Sequence, residues 1–235
     1  MIFQLTETLR LFVIFVPQIF LVVVFSFLIF KILKRNTNRN SLTLCGFYIT
    51  VSISLALNGI AVLLATFFPG EYVEILYLFL TYLTIFSFVF IVVFILGLLN
   101  LQFTINKALV LILIYGVVWL ILLLYPGGIT YSPIYLSPIY SLPLYIAANI
   151  LFTITFTIPV ILFSLRLRRL FKDSNLKKKL SLFLGGNMLL IIIIYGALLY
   201  NTWQDAVFRT AWSFSTFLLL ISSGLLIYYG IGRDL

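Results

Sequence analysis

No histidine occurs anywhere in the chain. That absence removes histidine-held metal sites, histidine-ligated haem, Ser-His hydrolysis and transfer through a phosphohistidine. The single cysteine, Cys45, leaves no internal disulfide, thiolate cluster or CxxC redox pair, and its expected role is that of a small apolar packing residue. Charged residues make up 9% of the 235 positions, and only six are Asp or Glu. None of the acids falls inside an apolar run except Glu74, at the very start of one, so an intramembrane carboxylate dyad, a metal-carboxylate site and a proton or sodium relay lack their parts. The last apolar run has no Lys for a retinal Schiff base, and the pairs Gly127-Gly128 and Gly185-Gly186 do not make a phosphate-binding loop. The chain is therefore expected to hold no catalytic residue, no metal and no cofactor.

What remains is apolar. Hydrophobic residues form 63% of the sequence, and the mean hydropathy is +1.23. A soluble domain of this length cannot bury that much apolar surface inside itself. A helix crosses a hydrocarbon core of about 30 Å with roughly 20 mostly apolar residues, its backbone groups bonded internally. Spans of that length are expected at 11–30, 42–68, 73–99, 109–124, 145–165, 180–200 and 208–230, the fourth being the shortest. The start MIFQLTETLR holds Glu7 and one base, unlike a cleavable signal, so the first span is read as permanent. The expected fold is all-α, a single polytopic domain over 1–235 built as a bundle of seven transmembrane helices.

Lys and Arg collect in alternate connections. Thirteen bases and two acids fall on one side, against two bases and four acids on the other. The rule that positive loops stay in the cytoplasm then puts the N-terminus outside and the C-terminus inside. The same rule accounts for the net charge of +9, so nucleic acid is not an expected partner. Arg166, Arg168, Arg169, Lys172, Lys177, Lys178 and Lys179 form the densest group, expected as a helix running past the membrane, a turn at Asp173, Ser174 and Asn175, and a new helix capped by Ser174 or Asn175. Besides setting topology, this segment is suited to anionic lipid headgroups or to an acidic cytosolic protein. Only 230–235 follow the last span, so any signal is expected to pass to a separate partner through 166–179.

On the outer side, 126–143 reads PGGITYSPIYLSPIYSLP, and its prolines predict an extended run. It is expected either as an interfacial strap, with Tyr131, Tyr135, Tyr140 and Tyr145 in the headgroup layer, or as a lid over an outer pocket. Pro17 and Pro159 predict kinks in the first and fifth helices. Neutral polar residues within the spans, Gln18 and Asn58 among them, are expected as interhelical glue or as the floor of a ligand pocket. Glu71, Glu74, Asp205 and Arg209 would ring its mouth if the third and seventh helices adjoin, with Asp205 and Arg209 spaced to pair. Gly46, Gly59, Gly196 and Gly224 predict close helix contacts.

Pro17-Gln18 resembles the dipeptide of the PQ-loop and SWEET-type carriers. The resemblance covers those two residues, and the second triplet has Pro159-Val160, so no site is carried across. A 3+1+3 parallel repeat is a second expectation, from the echo of Ser41-Leu42-Thr43-Leu44-Cys45-Gly46 in Ser181-Leu182-Phe183-Leu184-Gly185-Gly186. The layout as a whole resembles the seven-span sensor regions attached to some kinases. The leading functional expectation is a non-enzymatic receptor or sensor with an outer ligand and a cytosolic partner. The alternatives are an uncoupled carrier or exporter subunit for a neutral or amphipathic solute, and a membrane anchor for a larger complex.

Overall fold

The computed structural model describes residues 7–67, 71–99, 103–132 and 137–233; the side chains of 7–14 and of Glu71 fall outside that description, as do Pro133 and Tyr135. Seven helices among these residues are long and apolar enough to cross a membrane. They are α1 (Glu7–Arg35), α2 (Arg39–Phe67), α3 (Glu71–Leu99), α4 (Ile105–Leu123), α5 (Leu142–Leu170), α6 (Ser174–Thr202) and α7 (Ala206–Gly232). This is a multi-pass membrane protein. The helices outrun the predicted spans because their ends carry polar and charged residues that stay helical once water can solvate them. A two-stranded hairpin, β1 (Ile129–Ser132) with β2 (Ser137–Tyr140), is the one departure from all-α among the described residues.

Helix starts follow local chemistry. Thr104 accepts from the Lys107 N–H at the head of α4, and Asp205 accepts from the Phe208 N–H at 2.7 Å at the head of α7. The head of α6 is capped by Asp173, which accepts from the Asn175 N–H at 2.9 Å, so the cap sits earlier than the expected Ser174 or Asn175. An aspartate at this place also favours the positive end of the helix dipole. After α4 the chain turns through Gly127, whose φ of +68° suits glycine, and the Gly128 N–H closes the turn on the Tyr125 carbonyl.

The two prolines act differently. α1 runs helically through Pro17. In α5, Pro159 follows a π-helical turn over Thr153–Thr157, where the Ile158 N–H reaches back to the Thr153 carbonyl. The wider turn absorbs the missing donor. The Thr155 hydroxyl turns to the Leu151 carbonyl at 2.7 Å instead of helping its own carbonyl.

Packing runs α1 on α2, α2 on α3, α3 on α5, α5 on α6, α6 on α7 and α7 back on α1, with α4 leaning on α3 and α5. The triplets α1–α3 and α5–α7 thus meet where α3 packs on α5 and where α7 packs on α1. The interior is filled by rings: Phe88 of α3 meets Phe47 of α2 at 6.0 Å and Phe152 and Phe156 of α5 at 5.4 and 4.7 Å. Phe94 of α3 meets Phe183 of α6 at 5.8 Å. Edge-on pairs of this kind add about 0.5–1.5 kcal/mol each beyond the area they bury. The four glycines face side chains of neighbouring helices: Gly46 faces Phe90, Gly59 faces Phe15, Gly196 faces Trp212 and Gly224 faces Phe25. Large apolar residues such as Ile19, Leu113 and Leu162 stay exposed on the outer faces, where lipid solvates them.

Candidate functional site

At the end of the bundle where α2 gives way to α3, the hairpin lies across the helices. Its register pairs Ile129 with Tyr140 and Ser132 with Ser137. α3 holds the first strand, since the Glu74 carboxylate accepts from the Tyr131 N–H at 3.1 Å. The Tyr131 ring stacks on Tyr77 at 6.1 Å, and its hydroxyl donates to the Ala65 carbonyl of α2. α3 also holds the second strand, where Thr81 and Tyr140 share a hydroxyl bond of 2.8 Å. Tyr140 is therefore buried, at 6% exposure, and is packed against protein where a ring turned to lipid headgroups was expected.

α7 takes the opposite grip through Arg209, which is 4% exposed. Its guanidinium donates to the Tyr200 carbonyl and the Gln204 side-chain oxygen, each at 3.0 Å, and to the Ser137 hydroxyl. It also lies 4.1 Å from the centre of the Tyr200 ring, a cation-π contact. The expected partnership of Asp205 and Arg209 is replaced. Asp205 precedes the helix, so its exposed carboxylate caps α7 while Arg209 turns inward to the hairpin. Nor do α3 and α7 pack on one another as the ring of charges required: α5 and α6 follow α3 in the packing order before α7 is reached, and it is the hairpin that links Glu74 to Arg209. Glu71 opens α3, and its side chain lies outside the described residues.

Burial raises the Tyr140 phenol to about 12, with bonds to Thr81 and Asn201 pulling the other way. A group held neutral in the fold but ionised near 10 when released stabilises fully below pH 10 and loses that stabilisation as pH climbs toward 12. The hairpin is expected to give up about 3 kcal/mol of docking stability over that window. Thermal unfolding followed from pH 9 to 12 checks this, and Tyr140→Phe should flatten the alkaline fall while costing about 1 kcal/mol at neutral pH for the lost hydroxyl bond.

Deeper in the same half, Gln18 of α1 faces Gly59 of α2, and Asn58 is half-buried beside it. Edge-to-face contact of Phe20 with Phe217 at 5.9 Å sets α1 and α7 at one depth, which brings Thr216 level with Gln18. Gln18 Oε1, Thr216 Oγ1 and Trp212 Nε1 are buried without a hydrogen-bond partner among the described residues. Sequence reasoning missed Ser137, Gln204 and Tyr140 as members of the hairpin lock; the signal for Ser137 was that Ser-Pro-Ile-Tyr occurs twice, at 132–135 and again at 137–140.

At the opposite end, Arg166, Arg168, Arg169, Lys172, Lys177 and Lys178 are exposed, and Lys179 is half-buried. Asp173, the acid among them, is engaged as the α6 cap. Between the ends, the Tyr195 hydroxyl of α6 bonds Thr153 at 2.6 Å and Thr157 at 3.1 Å, both within the α5 π-turn. Among the described residues no group of three or more His, Cys, Asp or Glu is placed to hold a metal ion. No protein-family model matches the chain, and no curated protein matches it.

Proposed function

We propose that this chain is a non-enzymatic receptor or sensor of a cell membrane, with its N-terminus outside and its C-terminus inside. Ligand is recognised at the hairpin end, and the response leaves through the basic 166–179 segment to a separate cytosolic protein, with anionic lipid on the cytoplasmic side as its surroundings. One observation carries the reading. β2 ends at Tyr140, Ser141 alone separates it from the start of α5, and α5 runs through its π-turn to Leu170, so a single stretch of chain joins the hairpin lock to the basic segment. Any shift of the hairpin pulls on that stretch directly. The π-turn, pinned by Tyr195, is the place where the pull becomes rotation or is absorbed. Gln18, Thr216 and Trp212 supply the neutral acceptor and donors that a polar uncharged ligand would meet, while Asn58 supplies a side-chain amide.

The test needs no ligand. Cys45 is buried, so a fluorophore on Lys172→Cys reports the basic segment alone in nanodiscs. Ser137→Ala, which loosens the hairpin, is expected to change the label's mobility, and adding Tyr195→Phe should alter or erase that change. A label indifferent to the hairpin would refute coupling between the two ends. The packing of α1–α3 against α5–α7 favours one second reading, an uncoupled carrier, whose mark would be flux of a neutral solute from liposomes that Gln18→Leu abolishes.

A further inference from the structure

A pocket of about 120 Å³ opens at the basic end, walled by Leu98 of α3, Leu167 and Phe171 of α5, Leu180 of α6 and Ile231 of α7. Leu176 and Lys179 stand on the α6 side of it. The helices that wall it neighbour one another in the order α3, α5, α6, α7, so a space touching all four lies on the inner side of the ring. Its walls come from the last turns of α3 and α7, the tail of α5 and the first turns of α6. Access is therefore along the bundle axis from the aqueous end. A lipid chain approaching sideways meets the outer faces of these helices first.

Size and charge narrow the occupant. An apolar cavity of roughly 150 Å³ takes a benzene ring. A volume of about 120 Å³ suits one Leu or Phe side chain and is far too small for a whole acyl chain. The same ends of α5 and α6 carry the exposed Arg166, Arg168, Arg169, Lys172, Lys177 and Lys178, with Leu170 and Phe171 exposed among them at 62% and 38%. Such a surface repels basic segments and selects acidic ones, while the pocket adds a demand for one apolar anchor.

We propose that this pocket seats a single large apolar side chain from an acidic, amphipathic segment of a cytosolic protein. The proposal rests on the reading that the basic end faces the cytosol and docks a partner. It adds what that reading leaves open, namely the chemistry of the partner: an anchor residue with carboxylates one helical turn to either side, lying across the α5–α6 connection.

A synthetic amphipathic peptide with one Phe flanked by Glu a turn away on each side is the probe, titrated by anisotropy against the full chain in zwitterionic nanodiscs. Exchanging the peptide's Phe for Ala, or plugging the pocket with Leu176→Trp, is expected to weaken binding about tenfold or more, as the burial of one such side chain implies. Leu98→Trp plugs the pocket from the opposite wall and should do the same, which guards against a local folding fault in either variant. Lys177→Gln with Lys178→Gln should weaken binding and lower its salt dependence. If both plugs leave affinity unchanged while the lysine changes reduce it, the peptide rests on charge alone: the apolar seat is wrong and the docking reading survives. If dihexanoyl phosphatidylglycerol displaces the peptide, and its own binding is lost on plugging, the seat belongs to lipid. A wild-type protein that ignores the peptide even at low salt overturns the seat and the dock together.

Discussion

Arg209→Met is expected to detach the hairpin and lower the melting temperature in detergent by about 10 °C, the largest effect of any single polar substitution in this chain. The guanidinium serves the Ser137 hydroxyl, the Gln204 amide oxygen and the Tyr200 carbonyl at once, and it covers the Tyr200 ring. Methionine fills much of the volume but bonds none of them. Ser137 is buried while Gln204 and Tyr200 are half-buried, so about 1–3 kcal/mol for the first and about 1 kcal/mol for each of the others give a loss of roughly 3–5 kcal/mol in all. Lysine at 209 keeps the charge without the fork and should recover part of the loss. Ser137→Ala should cost about 1 kcal/mol in the native background and almost nothing beside Arg209→Met, because the partner is already gone. Equal costs in both backgrounds would show that the two residues do not act through one bond.

The second large effect is steric. A methyl group on Gly196 would run into the Trp212 ring, far inside van der Waals contact, so Gly196→Ala forces the indole out of its place between α6 and α7. Overpacking of this depth costs at least about 3 kcal/mol. We expect Gly196→Ala to yield little folded protein, and Gly196→Ala with Trp212→Leu to recover it. On the same helix, a methyl on Gly185 meets nothing within 4 Å. Gly185→Ala is expected to be neutral or to stabilise by up to about 1 kcal/mol through helix propensity. Yield and melting temperature of the three variants, measured side by side, separate a true helix contact from a general intolerance of change in α6.

How far the sequence foretold this arrangement depends on what kind of physics set each part. The spans were legible because burial in lipid needs only length and apolar density, and both are local. Their ends were not, since Lys34 and Arg35 or Asn106 and Lys107 stay helical once outside the hydrocarbon and no apolar signal marks them. The glycine contacts were legible from residue size alone. At Asp205 and Arg209, spacing of four implied a pair on one helical face, but Asp205 lies before the helix begins, so the rule for residues within a helix did not apply. The prolines foretold an extended run at 126–143, and 129–132 and 137–140 are extended, whereas 126–128 form a turn and 142–143 open α5. They did not foretell its pairing or burial, because those depend on Glu74, Thr81 and Arg209, which are distant in sequence and brought together only by the fold. The π-turn was hidden for the same reason: Pro159 marked a disturbance in α5, and Tyr195 on α6 is what holds it in that form.

α4 gives the bundle a ruler. Its 19 residues make a rod of about 28 Å, close to the thickness of a bilayer's oily slab. The rods beside it are longer: α3, α5 and α6 have 29 residues each, about 44 Å. Held against one another, rods of such unequal length cannot all end at the same two planes. Some 15 Å of each long rod must project into water or be taken up by tilt. Where it projects, the protein stands proud of the lipid as a low collar, and visiting molecules meet that rim before they meet the membrane.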